Sequence, residues 1–214
     1  TGVVTANAAT SLTGESSVGK NSVAIDYENY LITAVPQAAD LLGYAVEYYY
    51  REESANDREL VSIRAQRNRN EILELSSDDI SKFENQLLTY EIDGHSETVY
   101  CGTADVITNQ VAGRSDLSDL FSRENSVFQL LDRDLDGSYD VIFVECYINY
   151  VSGGTVGSSM RITDKYGQKG ITLDSDVTYT VEQEDGTPIE LAQIKEWDII
   201  SVYADKMITE TVNG

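Results

Sequence analysis

Residues 130–147 read LLDRDLDGSYDVIFVECY, placing Asp132, Asp134, Asp136 and Asp140 around Gly137 just before an apolar run. A hard cation such as Ca2+ takes about six to eight oxygens from a flexible loop, and carboxylates at alternate positions turn inward when the backbone curls round the ion. In that scheme Asp132, Asp134 and Asp136 supply positions 1, 3 and 5. Gly137 makes the sharp turn at 6, the Ser138 carbonyl stands at 7, and Asp140 stands at 9. Without a cation these carboxylates would repel one another at close range. The five residues are therefore the expected calcium ligands, with water or another segment completing the shell.

The EF-hand form of such a loop fails at its last ligand. Position 12 is Phe143, where a bidentate glutamate is required, and no helix follows. The residues after the loop alternate instead, with Ile142, Val144, Cys146, Ile148 and Tyr150 on one apolar face of a strand expected over 141–150. Val127–Leu131 is strand-like as well, so the loop is expected to join two strands. It resembles the calcium loops between strands of integrin-type β-propeller repeats.

Outward from this stretch the pattern stays at period two. Strands are expected at 23–25, 44–50, 60–63, 97–100 and 199–203, and fourteen tyrosines against two prolines suit them. Asp93-Gly94, Asp136-Gly137 and Asp185-Gly186 are hairpin signals. TYEIDG (89–94) pairs with TYTVEQEDG (178–186) and LLGYAVEYYY (41–50) with IKEWDIISVY (194–203), which suggests a repeated module. Short helices are expected at 76–86 and at 115–124, the latter capped by Ser115. The expected fold is all-β: two or three small β-barrel or sandwich-like modules in series with short connecting helices. Boundaries are expected near residue 86 and in VSGGTVGSS (151–159), giving modules 1–86, 87–151 and 152–214.

The charge balance narrows the partners. Fifteen Lys+Arg against 37 Asp+Glu leave a formal charge of −22 on 214 residues. Nucleic acid and anionic membrane surfaces are therefore poor partners, and divalent cations or cationic proteins good ones. No apolar run reaches the roughly 18 residues of a membrane span. The chain begins at Thr1, as a processed product or a fragment would. Cys101 and Cys146 allow one disulfide or two small buried thiols.

The segments GVVTANAATSLTG (2–14), LLGYAVEYYY (41–50), LLDRDLDGSYDVIFVECYINYV (130–151) and IELAQIKEWDIISVYADK (189–206) resemble the β-rich repeat regions of Firmicute, clostridial-type, secreted surface proteins that often carry S-layer homology domains. The likeness covers most of the chain in the same order, although no S-layer homology domain itself is visible. It implies a secreted, cell-surface or cell-wall location, self-association or contact with neighbouring wall proteins, and no assigned catalysis.

Other residues point to weaker chemistry. His95, the single histidine, follows Asp93-Gly94 and reads as a solvated turn residue. There is no G-x-S-x-G elbow, P-loop or G-x-G-x-x-G, so no catalytic residue and no organic cofactor are expected. Tyr44, Tyr48, Tyr49, Tyr50 and Trp197 could offer rings to a sugar, but alternation sends Tyr48 and Tyr50 to one face and Tyr49 to the other, which favours packing. Arg64, Arg67 and Arg69 suit salt bridges or an acidic patch on a neighbouring copy. LDSD (173–176) and DLSD (116–119) are further acidic pairs that could lend oxygens to calcium. The expected function is a non-enzymatic, calcium-stabilised extracellular structural protein, with a carbohydrate-binding module as the alternative.

Overall fold

The structure, a computed structural model, describes residues 1–14, 17–54, 57–113, 116–156, 161–166, 171–173, 179–183, 185–203 and 206–210. Five strands close a small barrel: β1 (Gly2–Ala6), β2 (Ser22–Ile25), β3 (Glu28–Leu31), β4 (Ala45–Ser54) and β5 (Asp57–Ala65). Val4, Val23, Ile25, Tyr30, Val46 and Leu60 fill it, and Ala38 joins them from a 3-10 helix at Pro36–Leu41. Closure removes the open strand edges that would otherwise invite pairing.

The chain continues through β6 (Glu71–Ser76), β7 (Ile80–Glu84), β8 (Leu87–Ile92) and β9 (His95–Tyr100), then β10 (Asp105–Thr108) and β11 (Val111–Ala112). A short helix α1 (Leu117–Phe121) leads into β12 (Ser126–Asp132) and β13 (Val141–Cys146). One sheet has the order β11-β10-β13-β12-β6, and β7-β8-β9 form a second. Leu12 and Leu42 pack with Ile107, Leu131 and Val141, so residues 1–145 make one compact unit.

The second unit, residues 146–214, holds β14 (Ile148–Val156), β15 (Arg161–Asp164), β16 (Ile171–Thr172), β17 (Thr180–Gln183), β18 (Ile199–Tyr203) and β19 (Lys206–Glu210). Its sheet order is β16-β15-β14-β18-β19-β17 around Ile162, Leu173, Val181, Ile194 and Ile200. Among the described residues no helix is long and apolar enough to cross a membrane.

One pattern recurs three times. A first strand (β1, β6, β14) pairs antiparallel with the strand that follows a helical turn (β4, β12, β18). Next to that strand lies its successor (β5, β13, β19), which pairs in parallel with a strand from before the helical turn (β3, β10, β17). The corner before β4 and the corner before β18 share their bonds. Gly43 N donates to Val4 O and Tyr44 N to Leu41 O, as Trp197 N donates to Ser152 O and Asp198 N to Lys195 O. The matched stretches 41–50 and 194–203 thus hold equivalent strands, but one residue out of the expected register, with Gly43 and not Tyr44 standing where Trp197 stands.

The other matched pair agrees in its turn but not in its pairing. Both Asp-Gly pairs turn the chain back antiparallel, Asp93-Gly94 between β8 and β9 and Asp185-Gly186 after β17, where Gln183 N donates to Thr187 O and Glu182 bridges Pro188. But β17 also pairs in parallel with β19, whereas β8 has only antiparallel neighbours. The helix expected over 76–86 is a single 3-10 turn, Ser77–Asp79, followed by β7. Asp79 accepts from the Ser76 amide and hydroxyl, but Ile80 to Glu84 then pair with β8 and the helix goes no further. The helix expected at 115–124 is α1, and its cap is Asp116, which accepts from Ser118 N; Ser115 lies outside the described residues.

The strand expected over 141–150 is two strands in two sheets, broken at Tyr147, so the apolar face stops and Ile148 is 59% exposed. The divide expected at residue 86 falls in the turn between β7 and β8, and the one at 151 falls inside β14. Gly153 and Gly154, expected as a joint, lie where the β14–β15 register shifts.

Candidate metal centre

The aspartate loop joins β12 to β13, the equivalent of the β4–β5 and β18–β19 connections. Its curl is written in side-chain to backbone bonds. Asp132, only 3% exposed, accepts from Asp134 N (3.2 Å) and Leu135 N (2.7 Å) at Oδ1, and from Gly137 N (2.9 Å) at Oδ2. Asp134 Oδ1 accepts from Asp136 N, and Asp136 Oδ1 from Ser138 N. Leu135 and Gly137 take φ of +65° and +84°, so two left-handed residues complete the turn.

The structure brings three of the five expected ligands together. Oxygens of Asp132, Asp134 and Asp136 lie within 4.8 Å of one another, the first buried and the other two exposed. Counting lone pairs, the two amides fill Asp132 Oδ1 but leave capacity on Oδ2, and Asp134 and Asp136 each keep Oδ2 clear of these backbone bonds. Three hard oxygen donors this close together could hold a metal ion, and their chemistry is that of a Ca2+ ligand set.

Asp140 stands apart from that trio. Its Oδ2 accepts from Arg133 N at 2.9 Å and its Oδ1 meets Arg133 Nη2 at 3.2 Å. At position 9 such a carboxylate reaches a calcium ion through water. Ser138 forms a parallel bridge with Tyr100, and Tyr139 N donates to Tyr100 O. Asp140 O accepts from Asp105 N. The loop is therefore tied on one side to the end of β9 and on the other to the start of β10, contacts the spacing alone did not reveal. Burial raises the Asp105 carboxyl above its ordinary range, against the pull of Arg133.

The remaining candidates fall into place as packing or surface groups. Asp116 is taken by the α1 cap, and residues 174–176 lie outside the described residues. Tyr48 and Tyr50 pack edge-on against Tyr30 at 5.4 and 5.2 Å between ring centroids, while Tyr49 points outward and is 75% exposed. Tyr44 is half-buried, and Lys165 stands 4.0 Å over the ring of half-exposed Trp197. Arg64 pairs with Glu47 at 2.6 Å, and Arg67 and Arg69 are exposed. His95 is exposed at the start of β9. Cys101 and Cys146 are not joined in a disulfide, and burial pushes the Cys101 thiol up to about 12.

These features define an all-β chain of small modules with an acidic strand–loop–strand clasp. No protein-family model, curated protein or solved structure matches it.

Proposed function

We propose that the protein is a non-enzymatic structural component of a bacterial cell surface or S-layer-type assembly, extracellular and stabilised by calcium. The observation that carries the reading is the trio Asp132, Asp134 and Asp136, gathered within 4.8 Å on a loop already curled for a cation. The excess of 37 acidic over 15 basic residues supports a chain that works where divalent cations are plentiful. Calcium at Asp132, Asp134, Asp136 and the Ser138 carbonyl, with Asp140 in reach through water, would fasten the ends of β12, β13, β9 and β10. Neighbouring copies or wall proteins would then be joined through the acidic faces and the exposed Arg67 and Arg69.

Calorimetry tests the metal. A ligand present at 100 times its Kd stabilises a fold by about 2.7 kcal/mol, so millimolar calcium should raise Tm well above the value in EDTA. Asp134→Ala should remove most of that rise. Equal melting in EDTA and calcium overturns the clasp. Light scattering tests the assembly: a chain that stays monomeric at high concentration with calcium overturns it.

A second reading, a carbohydrate-binding module of a larger secreted protein, draws on exposed Tyr49 and half-exposed Trp197. Glycan binding lost on replacing either residue would favour it.

A further inference from the structure

We infer that the barrel carries a binding site for a neutral sugar, in a cleft of about 400 Å3 beside the turn between β2 and β3. This goes beyond the calcium reading and uses none of its residues. Thr5, Ser11, Thr13, Ser17, Asn29 and Tyr27 are among the residues that line the cleft. None of the described lining residues is charged, in a chain with 52 acidic and basic residues (37 + 15). A lining of such hydroxyl- and amide-bearing residues suits a ligand whose polar groups are hydroxyls, and its volume is that of an ordinary small-molecule site.

Two further observations point to an occupant. Ser11, one of the lining residues, is 6% exposed and its buried Oγ has no hydrogen-bond partner, an arrangement that folding disfavours and that a small turn of the side chain toward a ligand hydroxyl would relieve. Tyr27 occupies the second position of a two-residue turn with φ of +68°, where glycine is the comfortable residue. Thr5 Oγ1 accepts from its amide and fixes the backbone, yet its side chain is 74% exposed and has no partner among the described residues. The other aromatic residue at positive φ, Trp197, has Lys165 over its ring. A ring presented on strained backbone with nothing packed on it, at the rim of a hydroxyl-lined cleft, is a stacking platform for a pyranose face.

The test titrates the full chain with glucose, galactose, N-acetylglucosamine, cellobiose and chitobiose, followed by amide NMR shifts and calorimetry. At least one should bind with millimolar or better affinity and move the residues around the cleft. Tyr27→Gly should weaken binding about ten-fold while Tm holds or rises, because the strain is relieved. Ser11→Ala should also weaken binding at unchanged or higher Tm, and Tyr49→Ala should bind as the parent does. No shift with any of these sugars, binding untouched by Tyr27→Gly and Ser11→Ala, or binding lost with Tyr49→Ala instead each overturns the proposal.

Discussion

A methyl group added to Gly43 would stand 3.2 Å from Val141 Cγ2 and 3.3 Å from Leu131 Cδ2 and Phe143 Cζ, on backbone with φ of +85°. Neither the space nor the conformation suits an L side chain, so Gly43→Ala should cost about 1–3 kcal/mol in a urea titration. The equivalent corner at residue 197 carries tryptophan at φ +78°. There the positive φ is kept by a residue that is 50% exposed and has Lys165 over its ring. Tyr90 gives a second test at this scale. Burial and its hydrogen bond to Glu97 push its phenol up to about 12 from the ordinary 10.0. Between those values the native chain keeps a proton that the unfolded chain has released, so this stabilisation is whole below pH 10 and fades as pH rises through about 12. Phenolate absorbance should show a late-titrating class, and Tyr90→Phe should flatten the fall in stability over that window. At the candidate site, Asp132, Asp134 and Asp136 were legible from spacing because alternate carboxylates in a curled loop must converge. The Arg133 to Asp140 pair was not, since it depends on how tightly the loop closes.

Among the elements, turn chemistry decided what could be read. Asp93-Gly94 announces its hairpin, and the structure has Ile92 opposite His95 across two left-handed residues. Asp26-Tyr27, Asn85-Gln86 and Asn109-Gln110 make the same two-residue turn, with Ile25 opposite Glu28, Glu84 opposite Leu87 and Thr108 opposite Val111. Without glycine at the second place these turns carry no signal, and so β3, β7 and β11 went unnoticed. Gln110 has φ of +62°, and Gln110→Gly should therefore raise stability by about 0.5–1 kcal/mol, read as a higher Tm. The β5–β6 connection was silent for a related reason, its left-handed residues being Asn68 and Asn70. The parallel pairs β3–β5, β10–β13 and β17–β19 join strands far apart in the chain, and alternation within a strand says nothing about its partner. Alternation gave the all-β class and the places of β2, β4, β5, β9, β12, β13 and β18, though it ran β13 on into β14.

Over the whole molecule the dominant quantity is the formal charge of −22. Self-repulsion of this size opposes compaction, and salt relieves it by shortening the screening length from about 30 Å at 0.01 M to about 8 Å at 0.15 M. Tm should rise over that range of sodium chloride, and calcium should raise it further at matched ionic strength; a calcium effect no larger than sodium's would reduce the clasp to screening. The threefold recurrence of one strand pattern sets where variation is tolerated. In its central copy the connection after the post-helical strand grows into the aspartate loop, while the pairing of first strand, post-helical strand and successor is kept. The curl of that loop is held by three amides on Asp132. An ion arriving there would find its socket already cut and could leave without opening the hairpin, so it would act as a dial on the lifetime of the fold and not as a switch of its shape.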